Sequence, residues 1–347
     1  MTQSPYINDI LCQPDALRKA LASYPGGSLK NAADRLAKGE FDRIIITGMG
    51  ASYMGTLPAS EILSQSGLPV LWMDTADLLH YRMAQISPRT LLWVISQSGY
   101  SAEIVRLLEA IAPQPPAFLL GTTNNMDSPV AKACAVTLPL NAGDEFTVST
   151  KTYTNTLAVT QLAALELMGK PIEATLQELQ AAAGTMQAYL ANLPQHVQEI
   201  KDKFGKRYER SVMVGRGRSV AAIMYASLIL KEATKAIIEG MSVAHFRHGP
   251  LEMADKNLSI LMLAGDHRTS EINRTVAKDA AGFGSQIFWI GSQPEETLKA
   301  FRLPETGEYA LPILEVLPLQ LMTIALADFT GVQAGIFRNI GKVTKTE

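Results

Sequence analysis

Cysteine is nearly absent from this chain: Cys12 and Cys134 are the only two in 347 residues, so no disulfide framework of the kind found in small secreted proteins is encoded. An excess of one charge is also missing. Thirty-one Lys and Arg face 33 Asp and Glu, for a formal net charge of −2. Both signs are scattered along the chain, so there is no basic field to hold nucleic acid or an anionic membrane. Any anion must therefore be bound by local geometry, and the expected partner is a small molecule. The opening MTQSPYINDI lacks the charged-then-apolar order of a signal peptide, and no apolar run approaches the ~20 residues of a membrane span. These absences together predict a cytoplasmic protein. What the chain does have is core material: 47% of residues are hydrophobic and 18% charged, which excludes a disordered polymer. The length favours two domains over one.

Short apolar runs alternate with helical stretches. RIIITGMGAS (43–52) reads as a strand ending in a glycine loop and followed by a helix. The same pattern recurs in LPVLWMD (68–74), TLLWVISQSG (90–99) and AFLLGTTNN (117–125). Such alternation implies a doubly wound parallel sheet. A second copy follows. SVMVGRGRS (211–219) parallels 43–52, with Ser219 standing 167 positions after Ser52; MLAGDHRTSEINR (262–274) parallels VISQSGYSAEIVR (94–106) at an offset of 168; FWIGS (288–292) parallels FLLGT (118–122) at 170. Three landmarks kept in order at nearly constant spacing predict two homologous α/β domains. Between them, roughly residues 155–207 are rich in Ala, Leu, Gln and Met and read as helices joining the lobes.

Ligands of open α/β sheets bind outside the carboxyl ends of the strands. There the first lobe presents Ser96, Gln97, Ser98, Gly99, Tyr100 and Ser101, a run of hydroxyls and backbone N–H groups opening a helix, which suits a phosphate. Ser52 can add a further hydroxyl. The bland alternative is that these residues only cap and turn. The second lobe argues against it, because Ala264, Gly265, Asp266 and His267 replace Ser96 to Gly99 and bring a carboxylate that repels phosphate. One anion site per chain is expected. A dinucleotide fingerprint is imitated by Gly48 and Gly50 with Asp74, but Tyr53 stands where its third glycine belongs. In the second lobe, Lys231 and Glu232 lie in a helix-like stretch after a charge-free run, so partly apolar surroundings should raise the Glu232 pKa toward that of a general base. His248 sits in the break FRHGP (246–250).

These residues resemble the sugar-isomerase (SIS) family in its double-domain form, as in the isomerase half of glucosamine-6-phosphate synthase and the fructosamine-6-phosphate deglycases. The resemblance spans nearly the whole chain through INDILCQPDALRKAL, TGMGAS, SQSGYSAE, GDEFTVSTKTYT, GRGRS, LKEATKAIIEGMSVAHFRHGP and FRNIGKVTKTE. It implies two flavodoxin-like sandwiches: an N-terminal helical segment (1–40), a phosphosugar-binding domain (41–170), a helical linker (171–207), a second domain carrying the Glu/His pair (208–330) and a C-terminal active-site tail (331–347). By resemblance, Ser52, Ser96, Gln97, Ser98 and Ser101 hold the sugar phosphate, with Ser149 nearby. Glu232 moves a proton between C1 and C2. His248 opens the ring and is donated by the neighbouring subunit of a homodimer or higher oligomer. Lys342 matches a lysine that engages the open-chain sugar. No cofactor or metal is implied.

Two departures bear on the activity. Ile229 stands where the synthase has a further active-site lysine, and no glutaminase domain precedes the motifs. Both point away from a glutamine-dependent synthase. The favoured reading is fructosamine 6-phosphate deglycation; the alternatives are an amino-sugar-6-phosphate deaminase or isomerase, and a non-catalytic phosphosugar sensor.

Overall fold

The computed structural model describes residues 4–293 and 298–346, and the chain divides into two compact units. Asp15–Gln180 with Asn339–Glu347 forms the first, and Met1–Pro14 with Ala181–Arg338 the second. The boundary is not linear in sequence: α1 (Pro5–Leu11) goes with the second unit, while α2 (Gln13–Ala22) and α3 (Lys30–Ala37) run in the first apart from the opening residues of α2. The C-terminal tail also returns to the first unit.

The first unit is built on five parallel strands: β1 (Arg43–Gly48), β2 (Val70–Asp74), β3 (Thr90–Ile95), β4 (Phe118–Thr123) and β5 (Val136–Pro139). Their order is β2-β1-β3-β4-β5. All six residues of central β3 are buried, as expected for a parallel strand covered on both faces, and this is why its sequence is an unbroken apolar run rather than an alternation. Its neighbours keep register with it through pairs such as Ile46↔Trp93 and Trp93↔Leu120. The crossovers include α4 (Gly50–Met54), α5 (Leu57–Leu63), α6 (Thr75–Tyr81), α7 (Ala102–Ile111) and α8 (Pro129–Ala133).

Next comes α9 (Lys151–Leu167), every residue of which is buried except Glu166. It lies in the interior of the first unit. This corrects the expectation that residues 155 onward join the lobes. Its polar residues are accommodated by internal bonds: the Thr156 and Thr160 hydroxyls donate to the carbonyls four residues back, at 2.7 Å each, and the Asn155 amide donates to Ala16 O and Leu140 O. A buried helix satisfied in this way has no amphipathic stripe for sequence reasoning to detect.

After α10 (Glu173–Leu190) and α11 (Leu193–Lys203), the second unit repeats the plan with β6 (Ser211–Gly215), α12 (Ser219–Thr234), β7 (Glu239–Ser242), α13 (Val243–Arg247), β8 (Ser259–Leu263), α14 (Ser270–Gly282), β9 (Gln286–Gly291) and β10 (Lys299–Arg302). All five strands are parallel. Their order, β10-β9-β8-β6-β7, is that of the first sheet read from the other end, and the three sequence landmarks fall on equivalent strands.

The last helix, α15 (Leu311–Thr330), corrects the expectation that no apolar run reaches membrane length. Its hydropathy averages 1.5 over a spanning window, yet 83% of that window is buried inside the fold. It is a core helix. Midway along it, Gln320 forms a reciprocal amide pair with Gln13 at 2.8 and 3.0 Å and also donates to Tyr225 Oη at 2.9 Å. All three side chains are fully buried. Gln320→Met should remove the Gln320 partner from the Gln13 amide and the Tyr225 hydroxyl and lower stability by about 1–3 kcal/mol. In denaturant melts, the double variant with Gln13→Met should lose less than the sum of the single losses; simple additivity would contradict the pairing.

Candidate active site

The switch point of the first sheet is the gap between β1 and β3, where the crossovers diverge. The two loops leaving these strands meet there: Ser52, on α4, accepts a hydrogen bond from the Gln97 backbone N–H at 3.2 Å. The loop is tightly wound. Ser96 Oγ accepts from Gly99 N at 3.1 Å and lies 3.3 Å from Ser101 Oγ, while Ser98 Oγ accepts from Tyr100 N. Gly99 has φ +70°, and a Cβ there would fall 2.1 Å from Ser128 Oγ, so both the left-handed turn and the close approach require glycine. The hydroxyl of Ser101, at the N-cap of α7, makes no capping bond. Five of the sequence-predicted residues, Ser52, Ser96, Gln97, Ser98 and Ser101, are thus gathered on one loop cluster.

A second cluster forms around a residue that sequence reasoning did not single out. Glu145 is 6% exposed. Its Oε1 accepts from Thr150 N and Oγ1 and from Thr152 N, at 2.9, 3.0 and 3.2 Å. Its Oε2 accepts from Thr152 Oγ1 and from Lys342 Nζ, each at 2.6 Å. Lys342 also donates to Thr147 O at 2.7 Å and reaches Ser149 Oγ at 3.4 Å, which brings these two predicted residues together. Burial alone would push the Glu145 carboxyl up. The Lys342 ammonium, helped by the bonds from Thr152 and Thr150, outweighs it and holds the group below the ordinary carboxylate range. The only cue in the sequence is an acid pair, Asp144 and Glu145, ahead of a threonine-rich helix start.

Both clusters border one cavity of about 730 Å³, whose lining includes Gln97, Ser98, Asp144, Glu145 and Val343. The tail is fixed beside the loop by Ala102 N, which donates to Thr344 O at 3.1 Å.

Glu232 and His248 belong to the other unit. Glu232 is half-buried in the last turn of α12, and its carbonyl accepts from Lys235 Nζ. Lys235 is itself left-handed, with φ +63°. Partial burial, reinforced by Arg338, lowers the Lys235 ammonium against the opposing pull of Glu232. His248 caps α13, is exposed, and precedes Gly249 at φ +145°. Ile229 is fully buried. In the second sheet, the counterpart of the hydroxyl loop places Asp266 against Arg268, whose backbone N and Nε both donate to it at 3.0 Å.

A doubly wound parallel sheet with a hydroxyl-lined loop at its switch point defines an open α/β protein of the kind that binds ligands at the carboxyl ends of its strands. Residues 40–166, which hold the first sheet and its helices, match the SIS domain. Among curated proteins, the chain is 28% identical over 352 residues to the isomerizing glutamine–fructose-6-phosphate aminotransferase of Pyrococcus horikoshii, covering 98% of this chain and 57% of that one. It is 27% identical to isomerizing aminotransferase 2 of Homo sapiens, over 88% of this chain and 46% of that one. The chain therefore spans about half the length of the curated relatives it matches. Among solved structures, the C-terminal domain of glucosamine-fructose-6-phosphate aminotransferase from Francisella tularensis superposes with a TM-score of 0.83 at 20% identity, covering 96% and 98% of the two chains. Glucosamine-6-phosphate deaminase of Thermotoga maritima gives 0.78 at 18%, covering 98% and 99%. These two likenesses establish the fold.

The Glu145–Lys342 pair yields a prediction with a sign. A carboxyl whose folded pKa is depressed contributes stability that is present above its unfolded value and lost as pH falls through the folded one. Glu145→Gln should cost about 3 kcal/mol near neutral pH and flatten the acid limb of the melting curve as pH falls below the ordinary glutamate range. A parallel acid limb in wild type and variant would contradict the assignment.

Proposed function

We propose that the chain is a phosphosugar enzyme that acts on an amine-bearing sugar 6-phosphate by 1,2-enolisation, with fructosamine 6-phosphate deglycation as its reaction. The observation that carries the reading is the convergence of the hydroxyl loop and the Lys342-bearing tail on one cavity of the SIS domain. The Ser96, Ser98 and Ser101 hydroxyls, with Ser52 and the Gln97 amide, anchor the phosphate. Ser149 and Lys342 then lie toward the open-chain end of the sugar.

In the proposed reaction, His248 passes a proton to the ring oxygen and opens the sugar. Glu232 removes a proton from C1 of the ketoamine, giving a 1,2-enolamine, and returns it to C2, leaving an imine at C1. Water adds to that imine, the C1–N bond breaks with protonation of nitrogen, and glucose 6-phosphate and a free amine leave. Ile229 supports deglycation over glutamine-dependent synthesis, since the resemblance expects an active-site lysine at that buried position. The equal strand order of the two sheets supports descent of the second from a duplicated SIS domain. Glu232 and His248 must reach the anchored sugar from the same chain or from a second copy, and a cytoplasmic homodimer with shared sites is the assembly we propose.

Assay of the purified protein against 6-phosphorylated fructosamines and amino sugars, following free amine and sugar phosphate together, tests the reaction. Release of both products in equal amounts from fructosamines is expected. Ammonia release from amino sugars alone would instead favour a deaminase, and silence across the panel a sensor. Within the active case, Glu232→Gln should reduce kcat by about 10²–10⁴-fold and leave KM nearly unchanged. His248→Ala should recover on a substrate that cannot cyclise. Recovery of the glutamate variant instead would reverse the two roles.

A further inference from the structure

A second cavity, of about 300 Å³, lies outside the carboxyl ends of β8, β9 and β10, the part of the second sheet where the first sheet keeps its hydroxyl loop. Its lining carries the carboxyls of Asp266, Glu271, Glu308 and Glu315 with Arg274 and His267; Arg268 bridges Asp266 and Glu308, and Arg218 lies 3.7 Å from Glu308. Arg274 is already committed, 3.3 Å from Glu271 and stacked over the Trp289 ring at 5.3 Å. The deepest of these acids is Glu315, near the start of α15 and 1% exposed. Its Oε1 accepts from Ser219 Oγ at 2.8 Å, while its Oε2 is buried with no hydrogen-bond partner.

A buried carboxyl oxygen without a partner is costly in a folded protein and calls for an explanation. A metal ion does not supply one, because among the described residues no group of three or more His, Cys, Asp or Glu is arranged to hold a cation. We propose that this cavity binds a small organic ligand through its protonated amine, with Glu315 as the counter-charge in its floor. Asp266, Glu271 and Glu308 are paired with arginines, which leaves Glu315 as the carboxyl with an oxygen to offer a cation, and the volume suits a ligand of metabolite size. Burial, opposed by the Ser219 bond and reinforced by Asp266, pushes the empty site's Glu315 up to about 8, so the group waits protonated and ionises when an ammonium arrives.

The site is separate from the proposed chemistry. Ser219, which holds Glu315, opens α12, and Glu232 lies thirteen residues further along the same helix, about 20 Å away at a rise of 1.5 Å per residue. The inference therefore does not rest on the sugar reading.

Trp289 lines the cavity and is one of only three tryptophans in the chain, so fluorine NMR of 5-fluorotryptophan protein reads the site directly. The probes are ethanolamine and glucosamine, with ethylene glycol and glucose as uncharged matches. The ammonium probes should shift the Trp289 resonance saturably and the uncharged matches should not. Glu315→Gln keeps the shape of a protonated glutamate and should melt as wild type does, but bind the ammonium probes at least about tenfold more weakly. Should that variant fail to fold, Glu315→Asp, which withdraws the carboxyl by one methylene, decides, with weakened binding again expected. The proposal is overturned if the uncharged matches shift Trp289 equally, if a folded variant binds as tightly as wild type, or if no ammonium probe shifts it up to about 10 mM.

Discussion

The first unit depends on a carboxylate that has no access to water. Removing the charge of Glu145 from solvent is expensive, and it is tolerated only because an ammonium and several short hydrogen bonds replace the lost hydration. That requirement does structural work in three places. It closes the 143–150 loop into a cradle, satisfies backbone N–H groups at the start of α9 that no helical carbonyl can reach, and draws in Lys342 from 197 residues away. The tail lies beside the hydroxyl loop because its lysine is the charge that Glu145 lacks.

The two sheets show one topology carrying different loops. Equivalent strands present loops whose character follows from a few side chains. After β3 stands a run of hydroxyls, with the N–H groups of Gln97, Gly99 and Tyr100 bonded to Ser52, Ser96 and Ser98. After β8, Asp266 is paired with Arg268. The divergence lies in the loops and the packing helix while the strands remain apolar, because the strands are constrained by burial on both faces and the loops only by their ligand.

The legible parts of the fold were those where burial leaves a simple pattern. β1, β3, β4, β6, β8 and β9 are apolar runs that could be read directly. β7, with the sequence EGMS, and the short edge strands β5 and β10 were not read, since edge position removes the demand for an apolar run. α9 was misplaced because its threonines and asparagine look solvent-facing until their internal bonds are seen. α15 was passed over because Glu315 and Asp328 interrupt its apolar run. In the first site, the hydroxyls are visible as residue types, whereas Glu145 is not: its importance arises from a contact across more than half the length of the chain, which local spacing does not encode.

The central claim is that one anion site is built into this chain, at the Ser96–Ser101 loop. Backbone amide NMR during titration with sorbitol 6-phosphate, which carries the phosphate on an acyclic chain, measures this directly. The amides of Gln97, Gly99 and Tyr100 should shift saturably while those of Gly265, Asp266 and His267 stay still. Equal shifts in both loops, or shifts confined to the second, would contradict the account.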